Sequence, residues 1–292
     1  MFVTSLISNP ETPSLEASLV ESLRNAWGGG EAVWLNPAIA AEFAMPQMPG
    51  NLWDVWSDVQ ALGIDLVVQP EQGRKKKMLL ADMDSTMIEQ ECIDELAAEA
   101  GVGEQVAAIT ARAMNGEIDF EGALKERVGL LKGMNSAIID TVLSNRITFM
   151  PGGLALVSTM RANGAHAALV SGGFTAFTDH VMAALGFDEN RANAFIIADG
   201  ALTGDVQMPI LGREAKVEAL EQITQARGLS EEDVLAVGDG ANDLGMLLRA
   251  GTGVALHAKP VVQQQVSIRI NHGDLTALLY LQGYHADEFA EG

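Results

Sequence analysis

The chain has 292 residues, 48% hydrophobic and 20% charged, an ordinary globular balance with room for about two domains. A formal net charge of -21 argues against nucleic acid or an anionic membrane surface as partner, and it requires any phosphate site to be locally basic. One cysteine, Cys92, excludes a disulfide framework and a thiolate metal cluster, and the five histidines show no zinc-ligand spacing. No run reaches the roughly 18–20 apolar residues of a membrane span, and residues 1–10 lack the basic start of a secretion signal, so a cytoplasmic protein is expected.

Residues 1–72 read as a small α+β module. Strands are expected over 2–7, 31–35 and 64–68, and helices over 15–27 and 52–62, the first stopped at Gly28-Gly-Gly30. Residues 70–77 are polar and basic and suit a solvated linker. A second unit then occupies 77–292. It opens with Met78-Leu-Leu-Ala-Asp-Met-Asp-Ser-Thr86, an apolar run of the kind a buried parallel strand shows, broken by two aspartates. Residues 88–148 are a helical block with helices expected over 88–100, 104–114, 119–131 and 135–145, Asp119 and Asn135 serving as caps. Such an insert makes a natural lid.

The alternating pattern then resumes. Pro151 suits the first position of a helix ending near Gly164, and a strand over 165–170 leads into Ser171-Gly-Gly-Phe174 and another helix. Residues 195–206 read as a hairpin turning at Asp199-Gly200. A helix over 214–227 precedes a strand over 234–237, which ends in Gly238-Asp-Gly-Ala-Asn-Asp243, and weaker strands follow at 253–256 and 267–270. Strands alternating with helices define an α/β class with a doubly wound parallel sheet.

Four pieces of this pattern carry chemistry. In open α/β sheets the reactive groups sit past the carboxyl ends of the strands. Asp82 and Asp84 stand there as two close carboxylates, which repel unless a cation or a shared proton joins them. A surface turn is the plain alternative. Ser171 and Gly172 offer a hydroxyl and backbone N–H groups to a phosphate, or form an ordinary βα turn. Lys216, near the start of a helix, opposes the helix dipole unless an anion lies close by. Asp239, Asn242 and Asp243 crowd a glycine-bearing turn and suit a hard cation such as Mg²⁺.

The set resembles the haloacid dehalogenase superfamily, and within it the chain is similar to the phosphoserine phosphatases. The likeness rests on Asp82-Met-Asp-Ser-Thr86, Glu91-x-Ile93-Asp94-Glu95, Val170-Ser-Gly-Gly-Phe174, Leu202-Thr-Gly-Asp205 and Val237-Gly-Asp-Gly-Ala-Asn-Asp243, and it spans about residues 77–279. It implies a phosphoryl transfer to Asp82, with Asp84 moving protons, and hydrolysis of O-phospho-L-serine as the last step of serine biosynthesis. Mg²⁺ would be held by Asp82, the Asp84 carbonyl and Asp239, with Asp243 in support. Ser171, Gly172, Lys216 and Asn242 would hold the phosphate. Glu91 and Arg127 would meet the ammonium and carboxylate of the substrate, with Met114 and Phe120 as apolar contacts. By pattern alone Met114 and Phe120 are lid core and Arg127 a surface charge.

The resemblance also implies an ACT-like or degenerate regulatory module over 1–72. Three tasks stay open for it: binding an amino acid, joining two copies as a homodimer, or packing alone. The competing readings for the whole chain are a phosphatase for another small phosphomonoester and a phospho-acceptor receiver domain. A receiver has no need of a helical lid.

Overall fold

The computed structural model describes residues 1–114 and 117–291, the side chain of Met114 excepted. The first section of chain forms an antiparallel sheet from β1 (Phe2–Ser8), β2 (Ala32–Asn36), β3 (Ala40–Met45) and β4 (Ile64–Pro70), in the order β2-β3-β1-β4. Helices α1 (Ala17–Trp27) and α2 (Leu52–Gln60) bury Val20, Leu23 and Val59 against its Leu6, Phe43 and Leu66. The sequence pattern misses β3. Its Ala-Ala-Glu-Phe-Ala-Met run lacks alternation, because all but one of its residues are buried between β1 and β2.

A parallel sheet of six strands forms the second layer system, in the order β12-β11-β10-β5-β6-β7. Its centre is β5 (Met78–Ala81), every residue of which is buried. The helical insert follows directly: α3 (Cys92–Glu99), α4 (Gly103–Met114), α5 (Phe120–Gly129) and α6 (Ala137–Asn145). Helix α3 starts later than the periodicity predicts, because Ile88 forms a β-bridge with Phe149 that ties the two ends of the insert. Asp119 caps α5 by accepting from the Gly122 N–H at 2.7 Å.

Helix α7 (Gly153–Ala162) returns the chain to the sheet. Pro151 is not at its first position. Gly152 intervenes with φ 79°, where a side chain would strike the Thr276 backbone. Strand β6 (His166–Phe174), α8 (Thr175–Leu185) and β7 (Glu189–Asn193) follow, and then the hairpin of β8 (Phe195–Ala198) and β9 (Ala201–Val206). This hairpin reaches across to the insert, where Leu202 exchanges backbone hydrogen bonds with Gly133 and Met134. The insert and the hairpin therefore pack as one unit built from two separate stretches of chain.

The rest completes the sheet: α9 (Arg213–Arg227), β10 (Val234–Gly238), α10 (Leu244–Arg249), β11 (Thr252–Leu256), α11 (Pro260–Gln263), β12 (Ile268–Ile270) and α12 (Ala277–Leu281). One face of β5 packs Leu79 and Ala81 with Leu156, Leu169 and Val237, and the other packs Met78 and Leu80 with Ala219, Leu220 and Ala236. Burial on both faces is what a parallel sheet covered by helices requires.

The N-terminal sheet is fastened to the larger one through Asp65 on β4. Its fully buried carboxylate accepts from the N–H groups of Asn271, His272 and Gly273 at 2.8–3.0 Å. No helix among the described residues is long and apolar enough to cross a membrane.

Candidate active site

The sheet order brings the carboxyl ends of β10, β5 and β6 side by side. Asp82 follows β5, Asp239 follows β10, and Ser171 lies in the irregular end of β6. They surround a cavity of about 200 Å³, which Asp84, Glu91, Phe120, Arg127, Gly172 and Asn242 also line. A larger cavity, of about 840 Å³, lies beside the 70–77 linker and shares none of these residues. Chemistry and not volume marks the site.

Asp82, Asp239 and Asp243 are all buried and offer oxygens within 4.8 Å of one another. Lys216, in the opening turns of α9, is equally buried. Its Nζ lies 2.6 Å from Asp82 Oδ1 and 2.5 Å from Asp243 Oδ1. These anions explain a lysine placed against the helix dipole. Burial lowers its affinity for a proton, but Asp243 and Asp82 outweigh that and hold it charged. Burial pushes Asp82 well up, with Asp243 adding to the push and Lys216 opposing it. Asp239 is raised to about 6, chiefly by burial. Three carboxylates thus crowd about one buried lysine. An oxygen donor set of this kind fits a hard divalent cation.

The turn around these acids is drawn tight by glycine. A side chain on Gly238 would come within 2.4 Å of the Asp243 carboxyl carbon, so the strand must end in a residue without one. Asp243 Oδ2 also accepts from the Gly240 N–H at 2.9 Å, which fixes the loop over the acid.

Asp84 has a different environment. Among the described residues its buried Oδ1 has no hydrogen-bond partner, and Cys92 meets the carboxylate with its thiol and with its N–H, the latter 3.4 Å from Oδ2. Burial, with Glu91 nearby, raises it to about 7. A carboxyl group poised there can both give and take a proton near neutral pH. Cys92 itself is a buried thiol held protonated by desolvation, as expected for a residue packed in the lid.

Ser171 and its glycines do not form a helix N-terminus, as the sequence predicts. The β6–β7 ladder breaks between Val170 and Phe174, and the intervening residues loop out beside the cavity. There the Gly173 N–H donates to Ser171 Oγ at 2.9 Å. Phe120, at the start of α5, closes over this loop, its ring 3.3 Å from where a Gly172 side chain would begin. Arg127 lines the same cavity from two turns further along α5. Burial lowers its affinity for a proton, while Asp94, Glu91 and Asp84 pull it the other way. Glu91 is oriented by Ser85, whose Oγ donates to Glu91 Oε1 at 2.9 Å. Met114 completes the residues expected here, but its side chain lies outside the described residues.

One charged lining residue escapes the sequence reading. Lys259 pairs with Asp239 at 3.6 Å from the loop after β11. The strand-end rule that picks out Asp82 and Asp239 applies to it equally, since it lies just beyond the strand expected over 253–256.

Together these features define a doubly wound α/β protein whose chemistry rests on carboxylates at the sheet's carboxyl edge. The sequence model for haloacid dehalogenase-like hydrolases matches residues 79–248. The chain is 47% identical over 204 residues to a phosphoserine phosphatase of Haemophilus influenzae, covering 70% of this chain and 65% of that protein. It is 42% identical over 206 residues to a phosphoserine phosphatase of Methanocaldococcus jannaschii, covering 70% of this chain and 97% of that one. Among solved structures, a HAD family hydrolase from Salmonella enterica superposes with a TM-score of 0.87 at 30% identity, covering 99% of this chain and 100% of that one. The chain belongs to the haloacid dehalogenase-like hydrolase family. It spans slightly less than two thirds of the length of the Haemophilus relative.

Proposed function

We propose that this chain is a Mg²⁺-dependent phosphoserine phosphatase, cleaving O-phospho-L-serine to L-serine and phosphate as the last step of serine biosynthesis. The observation that carries the reading is a carboxylate pair of unequal character, Asp82 and Asp84, in one cavity with Ser171, Glu91 and Arg127. Relatives 47% and 42% identical to this chain over 204 and 206 residues are phosphoserine phosphatases, and a substrate-bound phosphoserine phosphatase structure matches at 41% identity.

Asp82 is the nucleophile. Its Oδ1 accepts from Lys216 and from the Met83 N–H at 2.7 Å, so Oδ2 is assigned the attack on phosphorus. As the bond from phosphorus to the serine oxygen breaks, Asp84 gives its proton to that oxygen. The phosphoryl group is then carried by Asp82. Asp84, now ionised, takes a proton from a water that attacks phosphorus, and phosphate leaves with the Asp82 carboxylate restored. Ser171, the loop N–H groups, Lys216 and Asn242 neutralise and orient the phosphoryl oxygens, the main requirement of such a transfer. Asp82, Asp239 and the Asp84 carbonyl, with Asp243 in support, would hold Mg²⁺, which would supply further charge neutralisation at phosphorus.

The lid reads the serine part. Arg127 suits the carboxylate as a two-pronged donor, and Glu91 suits the ammonium. Phe120 covers the aliphatic portion. A cytoplasmic site of action goes with this reading, as does a small molecule as the partner. Steady-state phosphate release from L-phosphoserine, with Mg²⁺ and after its removal by EDTA, tests it against a panel of other small phosphomonoesters. Metal-dependent release that favours phosphoserine is expected. No release, or a stronger preference for another phosphomonoester, would overturn the assignment.

A further inference from the structure

Asn193 ends β7 and does not line the cavity. Its residue is only 2% exposed, and its amide bonds to two separate stretches of backbone. Nδ2 donates to the Gly172 carbonyl at 2.8 Å and to the Leu211 carbonyl at 3.2 Å, while Oδ1 accepts from the Leu211 N–H at 2.7 Å. One stretch is the loop 171–173 beside the cavity. The other is the segment entering α9, the helix that carries Lys216.

The loop needs such a partner. The β6–β7 ladder runs through Val170 and resumes only where Phe174 pairs with Asn193. The Gly172 carbonyl, in a half-buried residue, therefore has no strand partner and takes one from a side chain. Asn193 supplies the bond and, with it, a direction. The Gly172 carbonyl and the Gly173 N–H share one planar trans peptide and point opposite ways. Holding the carbonyl on Asn193 aims that N–H away from it, toward Ser171 Oγ. The grip on Leu211, which uses both its N–H and its carbonyl, fixes the entry to α9 from the same side chain.

We infer that Asn193 is a positioning residue, setting the spacing and orientation of the 171–173 phosphate loop relative to Lys216. The inference rests on the phosphate role proposed above for those groups. Its distinguishing element is hydrogen bonding and not volume. Aspartate has the shape of asparagine but cannot donate to either carbonyl when ionised, whereas serine is smaller and keeps one donor.

The test compares Asn193→Ser, Asn193→Ala and Asn193→Asp with the parent chain. Inorganic phosphate binding is measured by calorimetry with Mg²⁺ present, alongside kcat and KM for phosphoserine, inhibition by L-serine, and thermal unfolding. Phosphate affinity is expected to fall in the order Ser, Ala, Asp, reaching about 10²-fold for Asp, the scale of loss when a positioned group is displaced by an ångström. kcat should fall alongside it, with inhibition by L-serine unchanged, because the lid contacts are untouched. Wild-type phosphate affinity in folded variants of lowered Tm would make Asn193 a packing residue and overturn the inference, as would Asp being the mildest replacement. If Asp does not fold, Ser against Ala carries the same comparison. A parent chain that binds phosphate but prefers another phosphomonoester would defeat the proposed substrate while leaving this inference standing. A parent that binds no phosphate would defeat both.

Discussion

Replacing Lys216 by methionine isolates its charge from its stem. Methionine keeps an unbranched side chain that can fill the same channel. It removes the ammonium that sits 2.6 Å from Asp82 and 2.5 Å from Asp243, where the three side chains are 2%, 6% and 0% exposed. Taking one partner from a buried ion pair costs about 3–5 kcal/mol, because the surviving charge stays buried without compensation. Here two carboxylates lose the same cation, which pushes the loss toward the top of that range. Proton uptake by either acid pulls it back.

Urea unfolding at pH 7 after EDTA treatment measures the difference, and a repeat with Mg²⁺ measures what a divalent cation restores. Part of the stability should return with Mg²⁺, whereas phosphate release should not, since the contact proposed for the lysine with the phosphoryl group stays missing. The direction with pH follows from linkage. Asp82, already pushed up by burial and now without its lysine, titrates higher in the folded state than in the unfolded chain, so the folded state binds more protons between those two values. The variant's deficit is thus fully developed above the folded-state value and shrinks as pH falls toward about 4. A loss no larger than the roughly 0–1 kcal/mol of a surface pair would refute the argument. So would a deficit that does not change with pH.

Asp82→Asn is expected to abolish phosphate release while leaving the circular dichroism spectrum unchanged; surviving turnover would remove Asp82 as nucleophile. For Arg127→Ala, the expected result is a drop of about 10–100-fold in kcat/KM for phosphoserine, the scale of a lost charge-assisted hydrogen bond, with a smaller change for phosphomonoesters lacking a carboxylate. An equal loss on every substrate would assign Arg127 to lid structure. Asp65→Ala leaves three backbone N–H groups, those of Asn271, His272 and Gly273, without their acceptor. At about 1–3 kcal/mol for each stranded group, a loss of about 3 kcal/mol or more is expected in urea unfolding, together with faster proteolysis in the 71–77 linker. Unchanged unfolding and cleavage would mean that Asp65 does not fasten the N-terminal sheet.

Much of the fold was legible because local pattern and tertiary role agree. Met78-Leu-Leu-Ala81 is apolar throughout, and it is the central strand. Asp199-Gly200 turns the β8–β9 hairpin with φ of 51° and 76°, the left-handed conformations that this dipeptide favours. Where the two disagree, the reading failed. Strand β7 is Glu-Asn-Arg-Ala-Asn, polar because it forms an edge of the sheet, so nothing in its sequence announces a strand and Asn193 passed unnoticed. Strand β3 is alanine-rich and buried on both faces, so it shows no alternation. The Ser171 loop was read as a helix start, because a break in strand pairing leaves no mark on the residues that make it.

The sequence by itself determined the chemical inventory: carboxylates at the ends of apolar strands, a hydroxyl between glycines, and a helical insert bearing Glu91 and Arg127. Strand periodicity and glycine placement act over a few residues, so they can be read locally. Only the tertiary structure decided which of these groups meet. The order β10-β5-β6 sets Asp239, Asp82 and Ser171 side by side, and α9 brings Lys216 beneath two of the acids. The difference between Asp82, bound to a lysine, and Asp84, raised to about 7 with a buried oxygen left unpaired, is likewise tertiary. Two aspartates one residue apart have the same chemistry on paper. Burial and neighbours drawn from distant parts of the chain make them unlike, and the proposed division of labour, attack by one and proton transfer by the other, rests on that difference.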